Sequence, residues 1–242
     1  MANLSADVRK LIAAQPALLG GAHGMLGLLQ RLCSAAVKAL PASGVGVTVM
    51  TDAGARGVAV ASDAASERID ELQLTLGEGP CMDAFASRRP VLEADMRIGG
   101  VSRWPVYSAA VLDEGVRAVF AFPLQVGAAR LGVLDVYREG EGSLSPDAFS
   151  RALTFADVAT EMLLDGQEQA LPGRADAGLD EALDDRFELH QAQGMVMVQL
   201  GVSLGDALTR IRAHAFANNH SLSDVAADVV GRRIQFDPST ED

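Results

Sequence analysis

The sequence predicts an α+β domain, in which an antiparallel sheet is flanked by helices, followed by an all-α domain of three helices. Between residues 44 and 138, short β-branched runs alternate with turns, and helical patterns stand before, among and after them. This order of elements is typical of an α+β domain. After residue 180 the strand pattern ends, and two helix start signals of the same form appear. A chain of 242 residues is long enough for one or two domains with a proper core.

Five runs of the first domain have the length and composition of strands. They are Gly44–Met50, Gly57–Ser62, Val91–Glu93, Ala118–Val126 and Leu131–Arg138. The first two strands and the last two strands are each joined by a short turn, so each pair is expected to form an antiparallel hairpin. We expect the helices to gather on one face of this sheet.

Helical segments are indicated by apolar residues that recur every three or four positions and by proline near the helix ends. They are predicted at Ala6–Ala14, Met25–Leu40, Cys81–Ser87, Tyr107–Glu114 and Pro146–Asp165. Residues Ala64–Leu74 are either helical or irregular. The segment Arg97–Tyr107 is predicted to be a loop, because it holds two adjacent glycines and a Trp-Pro pair.

Two serines begin helices in the second domain. Ser203 and Ser221 each precede an aspartate by three positions, where free backbone N–H groups and the positive helix end favour a carboxylate. Apolar residues follow both caps at helical spacing. A third helix precedes them and ends at Gly201. Its predicted apolar stripe is Leu183, Phe187, His190, Gly194 and Val198. Three short helices with one stripe each must pack on one another.

Charge and composition limit the classes of function. The formal net charge is −12, which argues against a constitutive nucleic-acid binder. Between residues 189 and 233, however, three acidic residues stand against four arginines, so a local basic face can form there. No apolar run approaches about 18 residues, and we expect no transmembrane helix. The N-terminus has no secretory signal pattern, and Cys33 and Cys81 are expected to be reduced thiols of a cytoplasmic protein.

Three motifs of the second domain resemble the ANTAR domain, a three-helix RNA-binding module of bacterial transcription antiterminators. They are Ala192–Met197 (AQGMVM), Ile211–Ala215 (IRAHA) and Ser221–Ala226 (SLSDVA). The resemblance covers roughly residues 180–236. It implies RNA contacts by a set of residues in this region, which are Gln193, Gly194, Arg210, Arg212, His214 and Asn219.

Two residues of this set have particular features. Gln193 stands where many members of the family carry a basic residue; its amide forms hydrogen bonds but adds no charge. Arg212 lies off the apolar stripe of its helix. We therefore expect Arg212 to be exposed, where it could contact phosphates or stack on an unpaired base.

The order of elements in the first domain resembles a GAF domain, a sensory fold that holds small molecules or mediates dimerisation. The characteristic piece is the strand pair Pro123–Val136, and the resemblance covers roughly residues 22–167. By this resemblance, Glu78, Cys81 and Trp104 are candidates for sensing a small molecule or a redox state. Cys81 is either a small residue that is buried or lines a pocket, or a redox-active thiol at a helix N-terminus. Trp104 either covers the pocket or packs on the sheet.

The predicted division of the chain is an N-terminal extension (1–21), a GAF-like domain (22–167), a linker (168–179), an ANTAR-like domain (180–236) and a tail (237–242). This arrangement resembles actinobacterial-type antitermination regulators. It implies a homodimer that binds hairpins in leader transcripts, near RNA polymerase. The helices Met25–Leu40 and Pro146–Asp165 are the expected dimer surface.

We expect neither catalytic residues nor a metal site, because no His, Cys or carboxylate residues have zinc-like spacing. The ligand of the GAF-like domain stays unidentified. Two other functions fit the same sequence. In one, the three-helix domain docks a protein partner and never touches RNA. In the other, the GAF-like domain is a methionine sulfoxide reductase that uses Cys81; this chemistry needs a resolving partner, and Cys33 lies in a different helix.

Overall fold

A computed structural model describes residues 2–16, 24–51, 54–169, 177–218 and 220–237 of the chain. The elements in chain order are α1 (Ala2–Ala13), α2 (Gly24–Ala39), β1 (Gly44–Thr51), β2 (Gly54–Ala61), α3 (Ala64–Leu76), α4 (Pro80–Ser87), β3 (Val91–Glu93), a π-helical turn (Met96–Gly100), α5 (Val101–Arg103), α6 (Pro105–Asp113), β4 (Ala118–Val126), β5 (Ala129–Arg138), α7 (Pro146–Gln169), α8 (Ala177–Leu200), α9 (Leu204–Ala217) and α10 (Leu222–Val230). We call the part from α1 to α7 the sheet domain, and α8 to α10 the helical domain.

Five strands form one antiparallel sheet with the order β2-β1-β5-β4-β3. Strand β5 lies at its centre, where Leu134 pairs with Val47 of β1 on one side and with Phe122 of β4 on the other. The two predicted hairpins, β1–β2 and β4–β5, are confirmed. Strand β3 is three residues long and forms one edge of the sheet by pairing with β4.

Helices cover both faces of the sheet, and the expectation that they gather on one face is wrong. On the first face, α1, α2 and α7 enclose a core that includes Leu29 and Phe155. On the second face, α3, α4 and α6 enclose a core that includes Met50 and Val133. The reason lies in the central strands: residues 132–137 of β5 are all buried, and a strand with two buried faces needs cover on both.

The segment between β3 and α6 is helical, whereas the sequence predicted a loop. Residues Met96–Gly100 form a π-helical turn, and Val101–Arg103 form a short α-helix. The carboxylate of Asp95 starts the first of these turns by accepting a hydrogen bond from the backbone N–H of Arg97 at 3.0 Å. Helix α6 begins at Pro105, because proline suits a first helical position, where an N–H group would have no partner.

The helical domain consists of three helices, as predicted. The Oγ atoms of Ser203 and Ser221 accept hydrogen bonds from the backbone N–H groups of Asp206 (3.2 Å) and Asp224 (3.0 Å). Both predicted caps are therefore confirmed. Helix α8 ends before Gly201, whose φ of 66° lies in the left-handed region that glycine adopts without strain.

The buried face of α8 differs from the predicted stripe. Val198 is 76% exposed and His190 is also exposed. The buried side chains are Leu189, Ala192, Gln193 and Val196. The side chains of Leu183 and Phe187 lie outside the described part of the chain. A search for apolar stripes misses the true face because it excludes a buried glutamine, which is tolerated where its amide finds a hydrogen-bond partner.

The two domains share a continuous hydrophobic core. Buried side chains of α9 and α10, such as Ile211 and Val225, belong to the same cluster as Met50 and Ile69 of the sheet domain. Helix α3 provides one contact surface, since α9 and α10 both pack against it, and α8 packs against α2 and β2. Among the helices described, none is long and apolar enough to span a membrane.

Strands β1 and β5 approach each other closely at Gly132. A Cβ at this position would overlap the carbonyl oxygen of Thr48, a backbone atom that the paired strands hold in place. We expect Gly132→Ala to lower the free energy of unfolding by about 2–3 kcal/mol, measured by urea unfolding. Gly140→Ala is the matched control, because a Cβ there meets only the end of the Arg138 side chain, at 3.9 Å. Equal stabilities of the two variants would contradict the close approach.

Candidate functional site

Six polar or reactive side chains meet in the interior between the sheet and helices α3, α4 and α6. They are Thr48 on β1, Asp70 on α3, Cys81 on α4, Tyr107 on α6, and Asp135 and Tyr137 on β5. Each of them is at most 1% exposed. We call these six residues the buried polar cluster. Asp135 and Tyr137 share one face of the sheet because residues two positions apart in a strand point the same way.

A chain of hydrogen bonds crosses the buried polar cluster. The Tyr137 hydroxyl donates to Oδ1 of Asp70, and Nε2 of Gln73 donates to the Tyr137 hydroxyl oxygen at 3.3 Å. The side-chain carbonyl oxygen of Gln73 accepts a hydrogen bond from the backbone N–H of Cys81 at 2.8 Å. This bond occupies one of the free N–H groups at the start of α4. Gln73 therefore joins α3 to both β5 and α4.

Several oxygen atoms of the buried polar cluster take no part in this chain of hydrogen bonds and interact only with other side chains of the cluster: Asp70 with Asp135, Cys81 with Asp135 and Thr48, and Tyr107 with Tyr137. They are Oδ2 of Asp70, both carboxylate oxygens of Asp135, the Tyr107 hydroxyl and Oγ1 of Thr48. Buried polar atoms of folded proteins nearly always have partners, and each one left without costs about 1–3 kcal/mol. Several oxygen atoms in one place, with only one another's side chains as partners, mark a site that a polar ligand, water or shared protons would complete.

Burial controls the ionisation of the two carboxyl groups. The loss of water around Asp135 raises its pKa from 3.8 to about 7, although contacts with Cys81 and Asp70 act in the opposite direction. Burial and the charge of Asp135 raise the pKa of Asp70 well above its ordinary value, while the Tyr137 hydroxyl lowers it. Two carboxyl groups this close retain protons between them because both cannot ionise without repulsion.

Cys81 lies in the first turn of α4, yet it is not an activated thiol. Burial raises the pKa of Cys81, and the charges of Asp135 and Asp70 raise it further. Cys33 is buried on the other face of the sheet, where its Sγ lies 3.4 Å from the carbonyl oxygen of Val60, and burial raises its pKa as well. The sheet separates the two thiols, so they cannot act as an attacking and a resolving pair. The geometry favours the interpretation of Cys81 as a buried residue that lines the cluster.

Glu78 and Trp104 do not belong to the buried polar cluster, but they position helices that contribute to it. One carboxylate oxygen of Glu78 accepts hydrogen bonds from the backbone N–H groups of Val106 (2.9 Å) and Tyr107 (2.8 Å), at the start of α6. Trp104 is buried in the core of the second face, and its indole N–H donates to Asp83 at 3.2 Å. Of the two alternatives for Trp104, packing is the one that the structure favours.

Sequence reasoning found one member of the buried polar cluster, Cys81, and missed the other five. A signal was present at Asp135, an acidic residue within the apolar run Leu131–Tyr137 of a strand. A charge in a strand that is buried on both faces is unusual and points to a functional site. Thr48 and Tyr107 carry no such signal, because a threonine in a strand and a tyrosine in a helix are ordinary.

The RNA-contact candidates on α8 occupy two different environments. Gln193 is 3% exposed, and its side-chain amide donates to the carbonyl oxygen of Leu204 at 3.4 Å, which joins α8 to α9. The Gln193 amide thus joins two helices here, and the RNA contact that the resemblance implies for it stays a prediction. Gly194 borders open space, because a Cβ there would meet nothing within 4 Å. Asn219, a further candidate, lies outside the described residues.

Two candidates on α9 lie at or near the surface. Arg210 is exposed. His214 is half-buried, and its ring meets the ring of Phe236 edge-on with 5.4 Å between the centroids. His214 therefore helps to fix the segment after α10 to α9, in addition to the RNA contact that remains a prediction for it.

Arg212 packs against the sheet domain, which corrects the expectation that it is exposed. Its guanidinium lies so close to Gly77 that a Cβ on this glycine would come within 2.5 Å of Nη1. Arg212 is half-buried, and burial lowers the pKa of its guanidinium. Its Nε is buried without a hydrogen-bond partner among the described residues. The stripe of a single helix cannot reveal such a contact, because the cover comes from another domain.

A cleft of about 360 Å³ lies between α3 and α6 of the sheet domain and α9 of the helical domain. Glu71 and His220 are among the residues that line it. Burial raises the pKa of Glu71, and the charges of Glu67 and of Asp224 on α10 raise it further. The interface between the two domains thus has an apolar centre and several carboxylates at its edge. Repulsion between these carboxylates weakens the contact between the domains.

The chain thus combines a sheet domain, which contains the buried polar cluster, with a helical domain that packs against it. Residues 22–164 match the GAF domain family, and residues 177–230 match the ANTAR domain family. The chain therefore belongs to the GAF domain family and carries an ANTAR domain after its GAF domain. GAF domains are known small-molecule sensors, and ANTAR domains are known RNA-binding antitermination domains.

Solved structures share the fold of the sheet domain. It is similar to the GAF domain from a phosphoenolpyruvate-protein phosphotransferase of Coxiella burnetii, with a TM-score of 0.54 and 15% identity over 69% of this chain and 94% of that chain. It is also similar to a domain ascribed to a two-component sensor histidine kinase protein of Sinorhizobium meliloti 1021, with a TM-score of 0.51 and 16% identity over 64% of this chain and 100% of that chain. At such identities the likeness concerns the fold alone. No curated protein matches the chain in sequence.

The raised pKa of Asp135 makes stability depend on pH. Between 3.8 and about 7 the folded chain holds a proton that the unfolded chain releases, so the free energy of unfolding falls as pH rises through this range. Asp135→Asn keeps the shape of the carboxyl group and removes the titration. We expect the melting temperature of this variant, relative to that of the native chain, to rise between about pH 5 and about pH 8.

The matched control for this measurement is Asp157→Asn, which removes an exposed carboxyl group on α7. Thermal unfolding of all three proteins at both pH values would give the comparison. A difference between Asp135→Asn and the native chain that stays constant with pH would contradict the raised pKa.

Proposed function

We propose that this chain is a transcription antitermination regulator, in which the GAF domain senses a small molecule at the buried polar cluster and the ANTAR domain binds hairpins in nascent transcripts. The two family matches support the two halves of the proposal. The observation that carries it is the packing of Arg212, a candidate for RNA contact, against Gly77 of the GAF domain. Because an RNA-contact candidate of the ANTAR domain packs against the GAF domain, a change in the GAF domain can change the RNA affinity of the ANTAR domain.

RNA binding by this chain depends on few positive charges. Its net charge is −12, and only four arginines lie between residues 189 and 233. One of them, Arg233, pairs with Asp228 at 2.5 Å, and Arg212 is half-buried. Because phosphate contacts supply most of the affinity for nucleic acids, covering even one arginine weakens binding considerably. We infer that RNA affinity is low while Arg212 contacts Gly77 and rises when the ANTAR domain leaves α3.

A continuous path of contacts joins the buried polar cluster to Arg212. Asp70 accepts a hydrogen bond from Tyr137, whose hydroxyl oxygen accepts one from the side-chain amide of Gln73. The backbone carbonyl of Gln73 accepts the N–H of Gly77 at 2.9 Å, and Gly77 contacts Arg212. A ligand that moves the Gln73 side chain therefore changes the end of α3 against which Arg212 packs. This is the proposed route from input to output.

The proposed regulator is a cytoplasmic homodimer that acts on leader transcripts close to RNA polymerase. One small RNA-binding module binds weakly, and joining two modules raises the affinity through effective concentration. Helices α2 and α7, which pack side by side on the first face of the sheet, are the proposed dimer surface, and Leu153 on α7 is 36% exposed there. A sedimentation mass of twice the 25.3 kDa of one chain would support the dimer, and a single chain mass would contradict it.

Replacement of Arg212 tests the output. We expect Arg212→Ala to weaken the binding of structured leader RNAs from the same genome by about tenfold, because one contact with a phosphate or a base is lost. An electrophoretic mobility shift measures this. The control, Arg89→Ala, removes an exposed arginine before β3 and is expected to leave the affinity unchanged. RNA binding that is absent in the native chain at every salt concentration would favour the partner-docking function instead.

Release of Arg212 tests the control mechanism. A side chain at Gly77 would displace the Arg212 guanidinium, so we expect Gly77→Asn to increase RNA affinity several-fold. Asparagine is chosen because it tolerates the φ of 70° at this position. Gly127→Asn is the matched control: its φ is 56°, and a Cβ there meets nothing within 4 Å. Equal RNA affinities of the two variants would show that the Arg212 contact does not restrain the output.

A further inference from the structure

We propose that the cleft between the GAF and ANTAR domains binds a small organic cation with an aromatic body, and that this ligand favours the docked arrangement of the two domains. The volume of the cleft, about 360 Å³, is within the range of small-molecule sites. None of the six residues of the buried polar cluster lines it, so it is a second site. Binding to the cleft is independent of RNA, while its effect on the output rests on the function proposed above.

One face of α3 forms a wall of the cleft. Arg68, Glu71, Leu72 and Thr75 stand at positions i, i+3, i+4 and i+7 of this helix, so their side chains lie next to one another. Leu72 offers apolar surface. Glu71 and Thr75 are one helical turn apart and present a carboxylate and a hydroxyl group to the same space.

The polar atoms of Glu71 and Thr75 are available to a ligand. The Thr75 side chain is 6% exposed, and its hydroxyl has no hydrogen-bond partner among the described residues. Within the same ranges, the Glu71 carboxylate has neither a hydrogen bond nor an ion pair. The charges that act on Glu71 are those of Glu67 and Asp224, which are both acidic. A group that donates hydrogen bonds and carries positive charge therefore fits beside these two side chains.

The two basic side chains among the described residues of the cleft do not neutralise Glu71. Arg68 pairs with Glu114, which directly follows α6, at 3.6 Å. His220 lines the cleft, but its charge does not act on Glu71. An anionic ligand is disfavoured, because the unpaired carboxylate of Glu71 would repel it. A divalent metal is also disfavoured, because no group of three His, Cys, Asp or Glu side chains in the described part of the chain could hold one.

The remaining surface of the cleft matches an aromatic body. Phe216 on α9 is 49% exposed and lines the cleft, so its ring can pack against an aromatic ring or lie beside a cation. Ile69 supplies further apolar surface, and the small side chains of Ala110 and Ala215 leave the space open. Burial of an apolar body here offsets the freedom that the ligand loses on binding.

A ligand in the cleft contacts both domains. The walls come from α3 and α6 of the GAF domain, and from α9 and the segment before α10 of the ANTAR domain. The complete site therefore exists only while the domains are docked, and a ligand that binds it shifts the population toward the docked arrangement. Since Arg212 contacts Gly77 in this arrangement, the ligand is expected to lower RNA affinity.

Isothermal titration calorimetry of the full chain with tryptammonium chloride tests the site, because this probe joins a primary ammonium to an indole ring. At neutral pH we expect saturable binding of one molecule per chain. Two matched compounds separate the contributions: indolepropionate has the same ring with a negative charge, and methylammonium has the positive charge without a ring. Neither is expected to bind measurably.

Three variants locate the bound probe. We expect Glu71→Gln to raise the Kd for tryptammonium about tenfold, because the charged partner of the ammonium is lost. Thr75→Val keeps the shape of the side chain without its hydroxyl, and it is expected to raise the Kd several-fold. Glu139→Gln is the matched control, because it removes an exposed carboxylate directly after β5 and is expected to leave the Kd unchanged.

Three results would overturn the cleft site. These are the absence of binding to the native chain at tryptammonium concentrations up to about 5 mM, an equal affinity for indolepropionate, and an unchanged Kd in Glu71→Gln. If Glu71→Gln does not fold, the comparison of the three compounds on the native chain and the Kd of Thr75→Val decide the question.

The RNA mobility shift with and without tryptammonium tests the effect on the output. We expect the probe to weaken RNA binding by the native chain several-fold and to have little effect on Glu71→Gln, which excludes a direct action of the amine on the RNA. An unchanged RNA affinity of the native chain, together with calorimetric binding, would contradict the control of the output by the cleft. Absence of RNA binding without any amine would contradict antitermination alone, since calorimetry detects the site independently.

Discussion

The side chain of Gln73 holds together the parts of the GAF domain on which the site depends. Its amide donates to Tyr137 on β5, and its carbonyl oxygen accepts from the backbone of Cys81 on α4. The same side chain fills the space where a Cβ of Gly79 would stand, and the φ of 133° at this glycine is a second reason why the turn between α3 and α4 needs glycine. A single buried amide thus positions the sheet, both helices and the turn that Arg212 contacts. A movement of this side chain would break both hydrogen bonds.

Helix α3 explains why one part of the sequence was hard to interpret. On one side, Asp70 and Gln73 face the sheet; on another, Leu72 and Thr75 line the cleft beside the ANTAR domain. A helix that packs on two sides has no single apolar stripe, and its sequence therefore left open whether residues 64–74 are helical or irregular. The structure shows what starts this helix: the Asp63 carboxylate accepts hydrogen bonds from the backbone N–H groups of Ala65 and Ser66.

Local sequence patterns were sufficient to predict the helices and strands. Contacts between residues far apart in the sequence could not be predicted from these patterns. The strands and the serine caps of α9 and α10 follow from spacing and turn chemistry within a few residues of each other. The buried polar cluster brings Thr48 and Tyr137 together across most of the GAF domain, and periodicity holds no information about such a meeting. For the same reason the sequence could place Arg212 off its apolar stripe but could not reveal that α3 covers it.

The hydrophobic core that runs from the GAF domain into the ANTAR domain has a consequence for folding cooperativity. Ile211 and Val225 share one apolar cluster with Ile69, so undocking the two domains exposes apolar surface on both. Thermal denaturation should then proceed as one transition with a large heat-capacity change, in place of two separate steps. Burial of the same surface stabilises the docked arrangement of the two domains. A ligand can undock the ANTAR domain only if it favours the undocked state by at least this free energy.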